Sequence, residues 1–377
     1  MKIMIACGGT AGHIFPGLAL LEELREEVAN CQIVIVVSTH PRDLEYLKTA
    51  APFKDVRIET VCSSPLPYRI SPRYIPFCLK LLWAHLKSFY LILRYSPQVV
   101  IGFGGYASFA PLIIARIIGI PTLIHEQNII PGRANRMLAH IADRIAVSFD
   151  DTNKFFPQGM KARGKIVKTG LPLRKCILNY KKGASGVFKT DPEKFTILVL
   201  GGSQGAHNIN KLVLNCLSHI DQECRKQMYV IHLSGKKDVR SVSAKYAALG
   251  ITSSVCSFLK DMAGVYSIAD LLIGRCGAST IFEAATFNLP CLFIPYSRGT
   301  KHQKENALFL KHKGAALVLD EETASCEDLE KLLRELFGSK KIRESLSQKI
   351  RLLKIPQASR NLKEEVLALY RGRYVPV

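Results

Sequence analysis

Short apolar runs that alternate with helix-length amphipathic segments set the strongest limit on how this chain can fold. The runs are rich in β-branched residues, continuous rather than alternating, and bounded by Gly, Pro or Asn, which is typical of parallel strands covered on both faces by helices. The predicted strands form two series, 2–6, 33–37, 98–102, 122–125 and 144–147, then 196–200, 229–233, 270–273, 291–294 and 315–319.

Two series of strands predict an α/β chain with two doubly wound, Rossmann-like parallel sheets. We place an N-terminal domain at 1–170 and a C-terminal domain at 171–356, with a break at Gly170-Leu171-Pro172 and the basic run 181–183. Three helices are predicted to close the chain, at 326–337, 340–353 and 359–370. Ligands of such sheets bind beyond the carboxyl ends of the strands, so two facing sheets are expected to enclose an interdomain cleft.

Four predicted strands run directly into glycine-rich loops. The first loop, Gly8 to His13, precedes a helix predicted from Phe15 with Pro16 in its first turn. The other three loops span 102–106, 201–206 and 274–280. A strand, a glycine turn and a helix together present backbone N–H groups and a positive helix end to an anion. A tight turn without a ligand is the alternative for any single loop, but four loops, two in each series, favour phosphate binding.

Two common nucleotide motifs are absent. The first loop has Cys7 where a G-x-G-x-x-G fingerprint needs its opening glycine, and the second strand ends without an acidic residue for a ribose. No G-K-[ST] follows a loop at the offset of a P-loop. These absences disfavour NAD and ATP enzymes.

The net charge of +21 favours anionic partners such as phosphorylated substrates or an anionic membrane. The basic residues are scattered and no nucleic-acid motif occurs, so we expect no nucleic-acid partner. Eleven cysteines without a C-x-x-C pair or metal-ligand spacing predict neither a disulfide framework nor a metal site, which fits a reducing compartment. Cys78, Cys256 and Cys291 lie in apolar runs and are predicted to be small buried hydrophobic residues.

Polar residues beside the loops are the candidate site. For His13 the two hypotheses are a general base and a residue that only orders its loop. For Glu283 they are a ligand of a ribose diol and a carboxylate that stabilises a helix N-terminus. For Arg174 the two hypotheses are an ion pair with a diphosphate and an ordinary surface charge. The run 302–306 contacts sugar hydroxyls or caps a helix, and the polar run 125–128 at a strand end favours a site over core.

The segment 65–94 combines apolar residues at helical spacing with basic residues that include Lys80 and Lys87. Its most apolar stretch, 75–93, is interrupted by these lysines and His85, which disfavours a membrane span. One hypothesis is a buried helix face. The other, favoured by Trp83 and by the positive charge, is a surface that docks on anionic lipid. The apolar positions are Leu79, Leu82, Trp83, Leu86, Phe89, Tyr90 and Leu93.

Six motifs together resemble the MurG family of bacterial UDP-N-acetylglucosamine (UDP-GlcNAc) transferases. They are G-G-T-A-G-H-I-F-P at 8–16, G-F-G-G-Y at 102–106, H-E-Q-N at 125–128, G-G-S-Q-G-A at 201–206, F-L-K-D-M at 258–262 and R-C-G-A-S-T-I-F-E at 275–283. They occur in the family's order and cover nearly the whole chain.

The resemblance implies a GT-B fold, with helix 357–377 packing back on the N-terminal domain. It implies metal-independent, cofactor-free, inverting transfer of GlcNAc from UDP-GlcNAc to the C4 hydroxyl of N-acetylmuramic acid (MurNAc) in lipid I, which gives lipid II and UDP. Lipid I is an undecaprenyl-pyrophosphate lipid. The resemblance therefore implies a peripheral protein on the cytoplasmic face of the inner membrane, with other cell-wall synthesis proteins as partners.

The family's functional residues map onto this chain by motif. His13 is the implied base, and Glu283 is implied to hold the ribose, Gln303 the GlcNAc and Leu259 the uracil through its backbone. The other implied donor contacts are Thr10, Ala11, Gly12, Asn128, Arg174, Ser203, Ala278, Ser279, Thr280, Ile281 and Phe282. The implied contacts on the acceptor and lipid side are Gly104, Gly105, Tyr106, Glu126, Trp83, Lys80 and Lys87.

The chain departs from the family pattern at two positions. Leu171 stands where the family usually has Asn, which removes an amide near Arg174, and His302 precedes Gln303 where some members have two glutamines. Two other functions remain open from the residues: an isomerase resembling UDP-GlcNAc 2-epimerase, and a nucleotide-sugar sensor without catalysis.

Overall fold

The computed structural model describes residues 1–50, 56–63, 74–180, 188, 191, 193–202, 205–296 and 301–372. The chain divides into two compact units. Unit 1 comprises Met1–Arg174 and Ile355–Val377, and unit 2 comprises Lys175–Lys354. The basic run at 181–183, which we proposed as part of the domain break, lies outside the described residues.

Unit 1 is built on a sheet in which every described strand pair is parallel. Its strands are β1 (Lys2–Ala6), β2 (Gln32–Ser38), β3 (Arg57–Val61), β4 (Val99–Gly102), β5 (Thr122–Glu126), β6 (Arg144–Val147) and β7 (Ile166–Lys168). Their order across the sheet is β3-β2-β1-β4-β5-β6-β7. The chain adds β2 and β3 on one side of β1 and the later strands on the other side, so a topological switch point lies between β1 and β4. Such a switch point leaves a crevice beyond the carboxyl ends of its two strands.

Helices cover both faces of this sheet and bury an apolar layer on each. They are α1 (Ala11–Glu27), α2 (Pro41–Ala50), α3 (Tyr74–Tyr95), α4 (Phe109–Ile117), α5 (Arg133–Leu138), α6 (Gln158–Ala162) and the last helix, α16 (Ala358–Tyr370). Short 3₁₀ turns span Tyr106–Ser108 and Asp150–Phe155. Helix α16 packs on α1: Leu362 and Val366 join the core of unit 1, and Lys363 forms an ion pair with Glu27.

Unit 2 repeats this architecture. Its strands are β8 (Phe195–Leu200), β9 (Met228–Leu233), β10 (Thr252–Cys256), β11 (Leu271–Gly274), β12 (Cys291–Phe293) and β13 (Leu317–Val318), in the order β10-β9-β8-β11-β12-β13. Its helices are α7 (Lys175–Leu178), α8 (His207–His219), α9 (Gln222–Lys226), α10 (Val239–Ala248), α11 (Met262–Ile268), α12 (Ala278–Thr286), α13 (His302–His312), α14 (Cys326–Gly338) and α15 (Lys340–Arg351). The switch point lies between β8 and β11.

The prediction of two doubly wound parallel sheets is confirmed. Three strands were missed, and β3, β7 and β10 are all edge strands. An edge strand has one neighbour and is partly exposed, so it lacks the continuous apolar run by which we recognised the central strands. The segment Arg57–Val61, for example, carries Arg and Glu and is half exposed.

The first helix begins earlier than predicted. Helix α1 starts at Ala11 rather than near Phe15, so Gly12 and His13 belong to its first turn and Pro16 lies inside the helix. Pro16 lies in the second turn, where it lacks the N–H that would donate to the carbonyl oxygen of Gly12, so the helix loses one intrahelical hydrogen bond. This start places the His13 side chain at the positive end of the helix.

Helix α3 has an exposed apolar face, which contradicts the hypothesis of a buried one. Ala84, Leu91 and Ile92 pack into unit 1, but Trp83 on the other side of the helix is 61% exposed. Cys78, predicted to be buried, is also exposed, because it lies on the part of α3 that turns away from the core. The apolar face of α3 consists of Leu79, Leu82, Trp83, Leu86, Phe89, Tyr90 and Leu93. Among the described helices, this one is long and apolar enough to cross a membrane, a test that core helices of soluble proteins also pass.

Candidate functional site

All four glycine-rich loops lie at the two switch points. In unit 1 they follow β1 and β4, which are neighbours in the sheet, and in unit 2 they follow the neighbours β8 and β11. Strand order, which the sequence did not predict, brings the loops together in pairs. Each unit therefore has a two-loop site in the position where open α/β sheets bind ligands.

The first loop leaves the N-terminus of α1 open to an anion. Gly9 has a φ of +86°, and its N–H donates to Oδ2 of the buried Asp43 at 2.8 Å. Thr10 is the N-cap residue of α1, but its side chain forms no capping hydrogen bond, and the first turn contains no acidic residue. The backbone N–H groups of Ala11 and Gly12 thus belong to a positive helix end that no carboxylate of that turn neutralises.

His13 is held by the backbone of its own loop. Its Nδ1 lies 2.9 Å from the carbonyl oxygen of Gly8 and 3.3 Å from Oγ1 of Thr10. A carbonyl oxygen only accepts hydrogen bonds, so Nδ1 carries the proton and donates to Gly8. In this tautomer Nε2 carries the lone pair and is the nitrogen that can accept a proton, as a general base must.

The second loop packs directly on this histidine. A Cβ placed on Gly104 would lie 3.3 Å from Nε2 of His13, and one placed on Gly105 would lie 2.2 Å from the carbonyl oxygen of Gly8. Gly105 has φ 74° and ψ 164°, a backbone conformation that essentially only glycine adopts. The half-exposed Tyr106 follows. The expected residues Gly104, Gly105 and His13 are thus in contact.

Glu126 supports this region instead of presenting a charge to a ligand. Its Oε1 accepts hydrogen bonds from the backbone N–H and from Nδ2 of Asn128, at 2.9 and 3.2 Å. Its Oε2 accepts from the N–H of Gly132 and from Nδ2 of Asn135, at 3.0 and 2.8 Å. Glu126 is buried, both its oxygens are engaged, and it holds the half-exposed Asn128, while its role as an acceptor contact stays a prediction.

His125 is a structural histidine. Burial lowers its pKa to about 4, although a hydrogen bond to the Gly170 carbonyl oxygen opposes that shift. The ring is therefore neutral at pH 7, with Nε2 donating to that oxygen at 3.0 Å. This bond ties the end of β5 to the segment that leads to Arg174.

Arg174 lies against the first turns of α1. Its guanidinium carbon is 4.2 Å from the centre of the Phe15 ring, and the residue is 9% exposed. Its Nε is buried and has no hydrogen-bond partner among the described residues. Leu171, the departure from the family pattern, is buried in the core. Arg174 is therefore no ordinary surface charge, and its Nε is a donor that an anion could satisfy.

In unit 2, the two loops run close against each other. A Cβ on Gly274 would lie 2.6 Å from the carbonyl oxygen of Leu200, where β8 ends. Gly205 has a φ of +76°, and a Cβ there would lie 2.6 Å from the carbonyl oxygen of Ser234. Ser203, an expected donor contact, lies outside the described residues.

The start of α12 offers an anion site of the same type as α1. Gly277 is its N-cap residue, and no acidic residue lies in its first turn. Ser279 and Thr280 are half-exposed, and Oγ of Ser279 is buried without a partner among the described residues. Ala278, Ile281 and Phe282 are buried, so their side chains belong to the core and only their backbone groups remain for a ligand.

Glu283 is oriented by a residue that sequence inspection missed. Its Oε2 accepts a hydrogen bond of 2.9 Å from the hydroxyl of Tyr266, and the Tyr266 ring stacks on Phe287. Tyr266 lies on α11, which follows the half-exposed Leu259 and begins after its cap residue Asp261. The expected uracil and ribose contacts are thus connected through one short helix.

Gln303 lies in the first turn of α13, where its Oε1 accepts a hydrogen bond of 2.9 Å from the N–H of Tyr296. Asn306, one turn later, donates to the carbonyl oxygen of Cys276 at 3.2 Å and so ties α13 to the fourth loop. No cluster of three or more metal-ligating side chains occurs among the residues that the structure describes.

Comparison with known proteins places this site in a family. The glycosyltransferase family 28 N-terminal domain matches residues 3–147, and the C-terminal domain of that family matches 196–362. The UDP-N-acetylglucosamine–N-acetylmuramyl-(pentapeptide) pyrophosphoryl-undecaprenol N-acetylglucosamine transferase of Geobacter metallireducens is 35% identical over 90% of this chain and 90% of its own.

Solved structures agree with this comparison. The MurG of Acinetobacter baumannii superposes with a TM-score of 0.74 at 27% identity, covering 97% of this chain and 99% of its own. A UDP-N-acetylglucosamine 2-epimerase superposes with a TM-score of 0.68 at 16% identity, covering 99% and 97%, and that likeness shows the fold alone. The fold is GT-B, and this chain is a member of the MurG family of glycosyltransferases within family 28.

Proposed function

We propose that the chain transfers GlcNAc from UDP-GlcNAc to the C4 hydroxyl of MurNAc in lipid I, giving lipid II and UDP for peptidoglycan synthesis. The observation that carries the proposal is His13, a histidine at the unit 1 switch point whose Nδ1 is hydrogen-bonded to Gly8, in a chain 35% identical to a relative that bears this activity in its name. Such a histidine is suited to remove a proton from a hydroxyl group.

Unit 2 supplies most of the proposed donor site. The Leu259 backbone holds the uracil, the Glu283 carboxylate accepts hydrogen bonds from the ribose diol, and Gln303 contacts GlcNAc. The third and fourth loops face the diphosphate, with Ser203 on one and Ala278, Ser279, Thr280, Ile281 and Phe282 on the other. An unneutralised start of α12 supports this assignment, because helix N-termini bind phosphate.

Unit 1 supplies the proposed acceptor site. Thr10, Ala11 and Gly12, at the positive end of α1, are proposed to contact the sugar of the donor as well as the diphosphate of the acceptor, with Gly104, Gly105 and Tyr106 on the neighbouring loop. Asn128 and Arg174 are proposed as further donor contacts, since the buried Nε of Arg174 gains a partner when an anion binds. Glu126 is proposed to act through Asn128.

The proposed chemistry is a single displacement. Nε2 of His13 takes the proton of the C4 hydroxyl while its oxygen attacks the anomeric carbon, and the bond from that carbon to UDP breaks on the opposite face. Charge accumulates on the departing diphosphate, where preorganised N–H dipoles and a guanidinium stabilise it without having to reorient. The sequence contains no D-x-D motif, and we propose that these groups serve in place of a metal.

The direct test is transfer of radiolabelled GlcNAc to a soluble lipid I analogue in the presence of EDTA. We expect a labelled disaccharide lipid and one equivalent of UDP. Release of UDP without acceptor, together with formation of N-acetylmannosamine, would instead support an epimerase. Tight binding of UDP-GlcNAc without turnover on any acceptor would support a sensor.

Glu283→Gln is expected to weaken UDP binding by about tenfold, since a hydrogen bond to a charged acceptor contributes roughly 1.5–3 kcal/mol and the amide is a poorer acceptor. Calorimetric titration with UDP measures this effect. Tyr266→Phe, which removes the hydroxyl that orients Glu283, is expected to weaken binding less. Equal affinity of the Gln variant and the unmodified protein would contradict the ribose assignment.

We further propose that the protein is peripheral on the cytoplasmic face of the inner membrane, where it meets lipid I and other cell-wall synthesis proteins. The apolar face of α3 supports this placement, and its Trp83 is suited to a membrane interface. Lys87 lies beside the apolar face, with its Nζ 5.1 Å from the centre of the Tyr90 ring, where its charge favours anionic lipid. Lys80 lies on the same helix but on the opposite side. An exposed apolar surface of this kind marks an interaction site.

Leu86→Glu is expected to lower the affinity for anionic phospholipid vesicles roughly tenfold, because burial of a leucine contributes about 1.5 kcal/mol or more and the new carboxylate is repelled. Vesicle co-sedimentation measures the loss. Leu352→Glu is the matched control, since Leu352 is exposed but belongs to unit 2. An equal loss in both variants would mean that net charge, and not the apolar face of α3, governs docking.

A further inference from the structure

A groove in unit 1 lies on the side of α3 away from its apolar face. Helix α3 forms one wall, and the residues that follow β3, the turn at Tyr106, the start of α4 and helix α5 form the rest. Its volume is about 110 Å³, and it opens to solvent, so a ligand can extend beyond it. Most of the lining is apolar and includes Phe77, Leu81, Ala84, Phe109, Ala110 and Met137. We call it the α3–α5 groove.

Two cationic side chains, Lys80 and Arg133, also line the α3–α5 groove, and none of its described lining residues is acidic. An apolar trough with cations on its wall complements an anionic amphiphile, in which a hydrocarbon chain is attached to a negatively charged group. A purely apolar ligand would gain nothing from the two cations, and a small anion would gain nothing from the apolar walls.

The groove adjoins the candidate catalytic residues at two places. Tyr106, one of its lining residues, directly follows Gly104 and Gly105, which contact His13. Arg133, at the start of α5, directly follows Gly132, whose N–H donates to Glu126 at 3.0 Å. A ligand that fills the groove therefore reaches the second loop, which lies against His13, and the segment between β5 and α5.

We propose that the α3–α5 groove binds the isoprene units nearest the diphosphate of the acceptor lipid, with Lys80 and Arg133 facing the diphosphate. This inference rests on the proposed function, which makes the acceptor a polyprenyl diphosphate. The apolar face of α3 then docks on the membrane while the opposite side of the helix holds the first part of the lipid chain. Binding of that part of the chain aligns the sugar with His13.

Calorimetric titration of the full-length protein with farnesyl diphosphate and with inorganic diphosphate tests this proposal. Met137→Glu places a carboxylate on the groove wall at a residue that is 54% exposed and so tolerates a charge. We expect the dissociation constant for farnesyl diphosphate to rise about tenfold, because a short hydrocarbon segment loses its apolar contact. Binding of inorganic diphosphate, which makes no contact with the apolar wall, is expected to weaken less, since only repulsion by the new carboxylate acts on it.

Two variants are matched controls. Met137→Leu keeps the wall apolar, and Leu352→Glu adds the same charge in unit 2. Both are expected to bind farnesyl diphosphate as the unmodified protein does, and thermal melting of all three variants reports folding. If the unmodified protein bound farnesyl diphosphate no more tightly than inorganic diphosphate, or if Met137→Glu had no effect, the proposal would be overturned.

Two other outcomes distinguish binding of the acceptor lipid in the groove from binding of membrane phospholipid, and the groove assignment from the proposed transfer reaction. Loss of vesicle binding by Met137→Glu with unchanged farnesyl diphosphate affinity would assign the groove to phospholipid acyl chains and overturn the polyprenyl assignment. The protein could instead bind farnesyl diphosphate more tightly than inorganic diphosphate and yet transfer no GlcNAc to any lipid. That result would support the groove as a site for a hydrocarbon chain and overturn the proposed function.

Discussion

Replacement of His13 by alanine is expected to lower kcat by about a thousandfold while the dissociation constant for UDP-GlcNAc changes little. General-base catalysis contributes roughly 10²–10⁴ in rate. His13 contacts Gly8 and Thr10 within unit 1, whereas most of the proposed donor residues belong to unit 2. Steady-state transfer to a lipid I analogue gives kcat, and calorimetry gives the donor affinity.

A loss of kcat without a loss of donor affinity distinguishes a general base from a histidine that only orders its loop. A merely structural histidine would affect the melting temperature and the KM for acceptor together with kcat, whereas loss of a base affects kcat alone. His140→Ala is the matched control, since His140 is an exposed histidine of unit 1. Turnover of the His13 variant equal to that of the control would remove the base from the proposed mechanism.

The sequence predicted the loops better than it predicted what they contact. Strand, glycine loop and helix are neighbours along the chain, so their order is visible in local composition. Three residues of the candidate site each have a hydrogen-bond partner that lies on a helix elsewhere in the chain. Asp43 on α2 binds Gly9, Asn135 on α5 binds Glu126, and Tyr266 on α11 binds Glu283. No spacing rule reports such pairs, because they depend on strand order and on how helices pack over the sheet.

How a side chain can take part in the site depends on its burial, which the sequence does not show. A strand-end carboxylate such as Glu126 is a residue type that often binds ligands, and only the structure shows that four donors already engage its two oxygens. Ile281 and Phe282 match a binding motif, yet their side chains belong to the core. Conversely, helical periodicity alone could not decide whether the apolar face of α3 is buried or exposed.

Replacement of Gly105 by alanine is expected to lower kcat at least about a hundredfold and to destabilise unit 1. The added Cβ would lie 2.2 Å from the carbonyl oxygen of Gly8, about 1 Å closer than such atoms approach, so the two loops must separate. A displacement of that size at a catalytic group costs about 10²-fold in rate. The Gly8 oxygen is also the acceptor that orients His13, so the tautomer of the base is disturbed as well.

Gly119→Ala separates this clash from backbone strain. Gly119 has a φ of +81°, close to the +74° of Gly105, but a Cβ there would meet no atom within 4 Å. We expect Gly119→Ala to lower the free energy of unfolding by about 1–2 kcal/mol and to leave kcat unchanged. Denaturant unfolding and the transfer assay measure both quantities. Equal kcat in the two variants would mean that the second loop does not position His13, because only Gly105 lies against the first loop.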